Sequence, residues 1–199
     1  MSIDPSSFYL HNVTDTCAVW NVLSSKTLYS GARRAGVVFI CTRFVIYECL
    51  YKQRTSHSQW DMELQNRLRQ AQNDLSFECY PLDIADLQTI NLLENRKRLG
   101  KGELSALAFA LKTRQAFLTD DKKARRFAQE ILSDSKTQTT PHLVAWLFFR
   151  NYLSDGDKDV LLREHQGMGR PLSEYFDQMY MEACRCRLMS RQGASSNGR

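Results

Sequence analysis

Several features that would point directly to a class of protein are missing from this sequence. No apolar run approaches the roughly 18 residues that a membrane-spanning helix needs, and the first residues lack the basic-then-apolar order of a secretory signal. No Cys-x-x-Cys pair and no zinc-finger spacing of histidines occurs. Neither glycine-rich loop that binds nucleotide phosphates is present. We therefore expect a cytoplasmic protein without a membrane, zinc-finger or nucleotide-cofactor role.

The composition is that of a globular domain with a modest positive charge. The 199 residues, 43% hydrophobic and 25% charged, fit one domain. The net charge of +5 only suggests a nucleic-acid partner. Basic residues are bunched, several beside acidic ones, and a carboxylate site bordered by cations suits a phosphodiester substrate. A solvated helix face is the simpler interpretation of any one bunch.

Strand-like and helix-like segments alternate along the chain. Aromatic, β-branched and continuous apolar runs predict strands, at residues 8–14, 37–41, 77–82, just before Asp120 and 137–140. Helical spacing of apolar residues predicts helices between them, the first beginning at Asp15 or Thr16 and ending near Gly31. This alternation predicts a three-layer α/β/α sandwich around a mostly parallel sheet.

The domain organisation follows from where this alternation stops. We predict one domain over residues 1–153, a helical extension of the same domain over residues 154–189, and a disordered tail over residues 190–199. The polar helix predicted over residues 56–73 is an excursion from the core.

Acidic residues follow two of the predicted strands and begin one helix. Asp15 follows the first strand, the Asp120–Asp121 pair follows a later one, and Glu103 lies in the first turn of an apolar helix. Because the carboxyl ends of parallel strands share one edge of the sheet, we expect these acids to meet there. Taken singly, each acid is also a good helix-capping residue.

Glu48 is the one acidic residue in an otherwise apolar helix, over residues 43–51. Burying an unpaired carboxylate is costly, so it needs a partner, a proton or a cation. Pairing with an arginine and binding a metal are equally good interpretations.

If four carboxylates converge, they cannot all stay ionised without a cation, since each pair at about 4 Å would cost roughly 4 kcal/mol at an effective dielectric constant of about 20. An all-oxygen ligand set favours Mg²⁺ or Mn²⁺. Such a metal lowers the pKa of a bound water and stabilises charge on a phosphate.

Four segments occur in a distinctive order: Val13–Cys17, Glu48 in the second helix, Gly102–Ala108 and Leu118–Arg125. Together they resemble the PIN domain, and within it the ribonucleases of bacterial and archaeal toxin–antitoxin systems. The resemblance covers about residues 8 to 150. It implies a PIN-like fold and a metal-dependent hydrolase that cuts single-stranded or structured RNA, with Mg²⁺ or Mn²⁺ as cofactor.

The resemblance also implies roles for particular residues. The catalytic acids would be Asp15, Glu48, Glu103 and a fourth acid, for which we prefer Asp121 to Asp120 because the family has one residue between its threonine and its aspartate. The metal ligands would be Asp15, Glu103, Asp121 and Asp120. Thr119 and Thr16 would support the site. Lys101, Lys122 and Arg125 would bind nucleic acid.

Partners and competing functions also follow from the family. An antitoxin or other regulatory protein would control the nuclease, and a homodimer is expected. One alternative is a nuclease that acts on DNA in defence or repair. Another is a PIN-like module that binds nucleic acid or protein without cutting it.

Overall fold

The computed structural model describes residues 4–53, 58–96, 98–132 and 136–196. Its elements, in chain order, are β1 (His11–Thr14), α1 (Thr16–Ser24), α2 (Lys26–Arg34), β2 (Val38–Thr42), α3 (Arg43–Leu50), α4 (Gln59–Asn73), β3 (Phe77–Tyr80), α5 (Ile84–Arg96), α6 (Lys101–Thr113), β4 (Ala116–Leu118), α7 (Lys122–Ile131), β5 (Thr137–Gln138), α8 (Thr140–Phe149), α9 (Asp157–Gly167) and α10 (Ser173–Ser196).

The strands form one five-stranded sheet in the order β3-β2-β1-β4-β5, and every pairing is parallel. Helices connect the strands, so the fold is the predicted three-layer α/β/α sandwich, with a sheet that is wholly rather than mostly parallel. Strands β2 and β3 lie on one side of β1, and β4 and β5, which follow later in the chain, lie on its other side. The order therefore switches between β1 and β4, which is where such sheets place their functional groups.

The described residues form two compact units. The sheet unit comprises Tyr9–Leu23 and Gly36–Thr140. The helical unit comprises Met1–Phe8, Ser24–Ala35 and Pro141–Arg199. Helix α2 thus belongs to the helical unit although it precedes the predicted boundary at residue 153. The helical unit therefore combines segments from both sides of that boundary.

In the sheet unit, the central strands are buried and the helices begin at well-made caps. Phe39 and Phe117 are fully buried, as expected for strands covered on both faces. The Thr42 hydroxyl caps α3 by accepting the Val45 N–H, and Ser58 forms a capping box with Asp61 at the start of α4. The predicted excursion is thus helical from residue 59, while residues 56 and 57 lie outside the described part.

One predicted boundary is wrong. The helix expected from Asp15 or Thr16 to about Gly31 is two helices, because Ser25 adopts extended backbone and its hydroxyl accepts the Leu28 N–H, which begins α2. Helix α10 extends to Ser196, into the segment from residue 190 for which disorder is predicted. Residues 197–199 lie outside the described part.

In the helical unit, His165 is a fully buried core histidine. Its Nε2 accepts the Leu172 N–H at 3.1 Å, so the neutral ring carries its proton on Nδ1, which lies 2.5 Å from the Ser24 hydroxyl. The Phe176 ring packs against it. Burial lowers the pKa of His165 to about 3.

No helix in the part of the chain that the structure describes is both long and apolar enough to cross a bilayer.

Candidate functional site

The site begins where β1 and β4 end side by side. Asp15 follows β1 and Thr119 follows β4, and both residues are fully buried. The Thr119 hydroxyl donates a hydrogen bond to Asp15 Oδ2, and the Asp15 N–H bonds to the Leu118 carbonyl. This junction lies at the carboxyl edge of the sheet, where the sequence predicts that the acids meet, and it coincides with the switch in strand order between β1 and β4.

Asp15 is held in an environment that favours its neutral form. Its Oδ1 accepts the Ala18 N–H at 2.8 Å, so it also caps α1. Burial raises its pKa to about 7, against the opposing effect of the Thr119 and Ala18 hydrogen bonds, and the negative charges of Asp120 and Glu103 raise it further. Near neutral pH, Asp15 of the metal-free protein is therefore only partly ionised, and it carries only part of the negative charge that would attract a cation.

Glu103 is influenced by the negative charges of two other predicted acids. It lies in the first turn of α6, half-buried, and its Oε2 accepts the Gly100 N–H at 2.8 Å. Burial raises the pKa of Glu103, and the charges of Asp121 and Glu48 raise it too. Because Glu103 also raises the pKa of Asp15, it interacts electrostatically with three of the other predicted catalytic acids.

Glu48 has two neutral hydrogen-bond donors instead of the arginine that was one of its two expected partners. Its Oε2 accepts the Thr16 hydroxyl at 2.7 Å, and its Oε1 accepts the Gly102 N–H at 3.3 Å. Within the described ranges it makes no ion pair. Thr16, which the sequence predicted as a supporting residue, is thus a hydrogen-bond donor to one of the predicted acids.

The two candidates for the fourth acid have different environments. Asp121 is the N-cap of α7, where its Oδ1 accepts the Lys123 and Ala124 N–H groups at 2.7 and 2.8 Å. Its Oδ2 accepts no hydrogen bond from a described residue. Asp120 uses both oxygens, because Oδ1 accepts the Thr140 N–H and Oδ2 accepts the Asn21 amide and the Thr140 hydroxyl. Asp121 is therefore the more available ligand.

The predicted cations lie at the starts of two helices. Lys101 is the exposed first residue of α6, Lys122 is the exposed first residue of α7, and Arg125 is half-buried one turn further along α7. A cation that the sequence analysis did not select, Lys123, is close enough to lower the pKa of Glu103. Its place in a group of basic residues was the only sequence signal that Lys123 lies near an acid of the site.

Other residues at the site were also missed. Asn21 and Thr140 hold Asp120 in place. Ser105 donates to the Gly102 carbonyl at 2.8 Å and shares a 2.6 Å hydrogen bond with the Thr42 hydroxyl, which ties α6 to the end of β2. A polar residue in an otherwise apolar helix was the available signal for Asn21 and Ser105.

The acids leave two carboxylate oxygens that could hold a metal ion. Across the described residues, no group of three or more His, Cys, Asp or Glu side chains is arranged to hold a metal ion. Mg²⁺ is usually held by one or two carboxylates, waters and a substrate phosphate, and does not need such a group. Glu103 and Asp121, each with one carboxylate oxygen that accepts no hydrogen bond from the described residues, are the pair that fits this mode.

Comparisons with known proteins found no matching family model, no matching curated protein and no matching solved structure. Membership of the PIN family remains a prediction from the motifs.

Proposed function

We propose that the chain is a Mg²⁺- or Mn²⁺-dependent endoribonuclease of the PIN class. The observation that carries the proposal is a set of hydrogen bonds that links acids from separate parts of the sequence. Thr119 bonds to Asp15 and accepts the Asp121 N–H. Glu48 accepts the N–H of Gly102, the residue before Glu103. Helix capping explains Glu103, Asp121 and Asp15 one at a time. It does not explain why they lie together with a fourth carboxylate that has no ion pair among the described residues.

A bound cation would be held by Glu103 and Asp121, with Asp15 and Glu48 close by. Such a metal would lower the pKa of a water and neutralise charge on the scissile phosphate. The cation would also favour the ionised form of Asp15, since positive charge near a carboxyl lowers its pKa. Asp120, although predicted as a ligand, would serve mainly to fix the end of β4 through its hydrogen bonds.

The remaining residues of the site would position the acids. The Thr119 hydroxyl orients Asp15 Oδ2, and its oxygen also accepts the Asp121 N–H at 3.2 Å, so one side chain links two acids. The Thr16 hydroxyl and the Gly102 N–H orient Glu48. Lys101, Lys122, Lys123 and Arg125 would contact substrate phosphates.

The choice of RNA, control by an antitoxin-like partner, assembly as a homodimer and a cytoplasmic location are further parts of this proposal. They rest on the motif resemblance. Substrate choice depends on contacts to the 2′-hydroxyl, so RNA and DNA are compared directly in the test.

The test is cleavage of labelled single-stranded RNA and DNA in Mg²⁺, Mn²⁺ or EDTA by the wild type, Glu103→Gln and Asp61→Asn. Asp61 is the matched control, because it accepts the N–H of its own helix N-cap, Ser58, as Glu103 accepts that of Gly100. Metal-dependent cleavage that Glu103→Gln abolishes and Asp61→Asn retains supports the proposal. Cleavage that survives Glu103→Gln refutes it.

A module that binds without cutting is the second candidate. The partial protonation of buried Asp15 and the capping roles of Glu103 and Asp121 favour it. It predicts nucleic-acid binding that is unchanged by EDTA and no cleavage by the wild type, including cleavage of total tRNA and ribosomal RNA.

A further inference from the structure

Helix α3, which carries Glu48, has an exposed stripe of cationic and aromatic side chains. Arg43 and Tyr47 lie on α3, and Tyr51 follows at its C-terminal cap. Tyr47 is 54% exposed and Tyr51 is 67% exposed, while Arg43 is also exposed. We call Arg43, Tyr47 and Tyr51 the α3 stripe.

The three side chains of the stripe follow one another at four-residue spacing. Residues spaced by four lie one above the other on a helix face. The Tyr51 N–H bonds to the Tyr47 carbonyl at 2.9 Å, which is the last helical hydrogen bond of α3, and Tyr51 is the C-cap with a φ of −125°. The two tyrosines therefore follow each other one turn apart along the chain.

The stripe is also close to the sheet edge that carries the acids. Arg43 directly follows β2. Burial raises the pKa of Cys79 in the neighbouring strand β3, and the charge of nearby Arg43 opposes that rise. The last residue of β3, Tyr80, pairs with Thr42 and is 40% exposed. A further tyrosine thus lies at the carboxyl edge of the sheet, next to where α3 begins.

Neither tyrosine of the stripe is needed for the core. The buried side of α3 consists of Val45, Ile46 and Cys49. A large aromatic side chain that remains more than half exposed gains only part of the stability that burial would give it.

We propose that the α3 stripe is a stacking platform for the bases of a single-stranded nucleic acid whose backbone passes the acids. Bases stack on aromatic rings without regard to sequence, and cations beside the rings hold the phosphates. Arg43 and exposed Lys52 supply positive charge at the two ends of the stripe. This inference rests on the proposed function, since it assigns a substrate-binding role to the helix that supplies Glu48.

Charge favours nucleic acid over a protein partner or a second copy of the chain. From Arg43 to Gln53, the exposed residues are two cations, two tyrosines and one amide. None of them is acidic or aliphatic. A protein-binding surface would be expected to place apolar aliphatic residues at its centre as well, whereas cations interleaved with aromatic rings are typical of single-strand binding.

The test measures binding separately from cleavage. Fluorescence anisotropy in EDTA records the Kd of labelled single-stranded RNA for proteins that all carry Glu103→Gln. The variants are Tyr47→Ala with Tyr51→Ala, Tyr47→Phe with Tyr51→Phe, and Tyr175→Ala. Tyr175 is the matched control, a tyrosine that is 56% exposed on α10.

We expect the double alanine variant to bind at least about tenfold more weakly, since stacking contributes about 1–3 kcal/mol per base. The double phenylalanine variant should retain the affinity of the Glu103→Gln parent, because stacking needs the ring and not the hydroxyl. Tyr175→Ala should bind normally. Thermal melting should show all three folded.

Unchanged binding by the double alanine variant would overturn the inference. Equal losses in the alanine and phenylalanine variants would do so too, because the hydroxyls would then be responsible. A loss of self-association on gel filtration with unchanged RNA binding would show that the stripe contacts a second copy instead.

Tyrosine-dependent binding without any metal-dependent cleavage by the wild type would defeat only the proposed nuclease. Cleavage with tyrosine-independent binding would defeat only the stacking platform.

Discussion

The Glu48 carboxylate lies directly against the Cα of Gly102, in the space where any other residue would have its side chain. A Cβ at residue 102 would lie 2.3 Å from Glu48 Oε2, well inside van der Waals contact. The Gly102 N–H meanwhile donates to the other oxygen of the same carboxylate. Glu48 can therefore occupy its observed position only because residue 102 has no side chain.

Gly102→Ala should separate activity from stability. The added methyl displaces only the flexible end of Glu48, and alanine is favoured over glycine within a helix by roughly 0.5–1 kcal/mol. We expect the free energy of unfolding to change by less than about 1 kcal/mol, while the rate of metal-dependent cleavage falls at least tenfold. Denaturant unfolding and single-turnover cleavage measure the two effects.

Gly167→Ala is the matched control, because a Cβ on that glycine meets nothing within 4 Å. It should leave cleavage unchanged. Full activity in Gly102→Ala would mean that Glu48 does not need its observed position.

Substitution of the two adjacent aspartates should show which of them is the fourth acid. Asparagine caps helices about as well as aspartate, so Asp121→Asn should unfold within about 1 kcal/mol of the wild type but lose cleavage. Asp120→Ala leaves the Thr140 N–H and the Asn21 amide without their acceptor, and should cost on the order of 2 kcal/mol. Chemical denaturation and cleavage assays on both variants check this. An active, stable Asp121→Asn would reverse the assignment.

Removing the charge of Asp15 should stabilise the metal-free protein above neutral pH. The pKa of Asp15 is raised from 3.8 to about 7, so the folded protein keeps a proton that the unfolded chain loses. Stability is therefore lost as pH rises through this range. Asp15→Asn avoids that loss and should be more stable than the wild type at pH 8 by on the order of 2 kcal/mol, with a smaller difference at pH 4.

Thermal melting in EDTA at several pH values measures the effect of Asp15→Asn, with Asp61→Asn as the control. An Asp15→Asn protein that melts below the wild type at pH 8 would show that the carboxylate is stabilised by its surroundings.

His165 should make the protein sensitive to acid. Its pKa is lowered from 6.5 to about 3, so the unfolded chain takes up a proton that the folded protein excludes. Stability should fall as pH drops from about 6.5 toward 3. His165→Gln should be less stable than the wild type at pH 7, because it loses the buried ring, but its unfolding midpoint should depend less on pH between 7 and 4. Substitution of exposed His11 by glutamine should leave the wild-type pH dependence.

The fold was predictable from local patterns, but its fine boundaries were not. Buried strands such as β2 read as apolar runs, and Thr42 and Asp121 are recognisable caps. The break between α1 and α2 depends on whether the Ser25 hydroxyl caps a new helix, which apolar spacing does not report.

The site was only partly predictable because its decisive contacts are distant in sequence. Glu48 stood out as a lone acid, but its donors, Thr16 and Gly102, are 32 and 54 residues away. Asp120 and Asp121 are neighbours with the same chemistry, and only the folded positions of Asn21 and Thr140 distinguish them. The sequence pattern gives candidate residues, whereas tertiary contacts decide which of their carboxylate oxygens are left to bind a cation.

The most direct test of the central claim is the rate of RNA cleavage by the wild type and by Glu103→Gln in Mn²⁺, Mg²⁺ and EDTA. Glu103 interacts with three other acids, so its neutralisation should abolish cleavage while the fold, checked by circular dichroism, is retained. We predict cleavage by the wild type only with metal and none by Glu103→Gln. Equal cleavage by both proteins, or wild-type cleavage that persists in EDTA, would contradict the account.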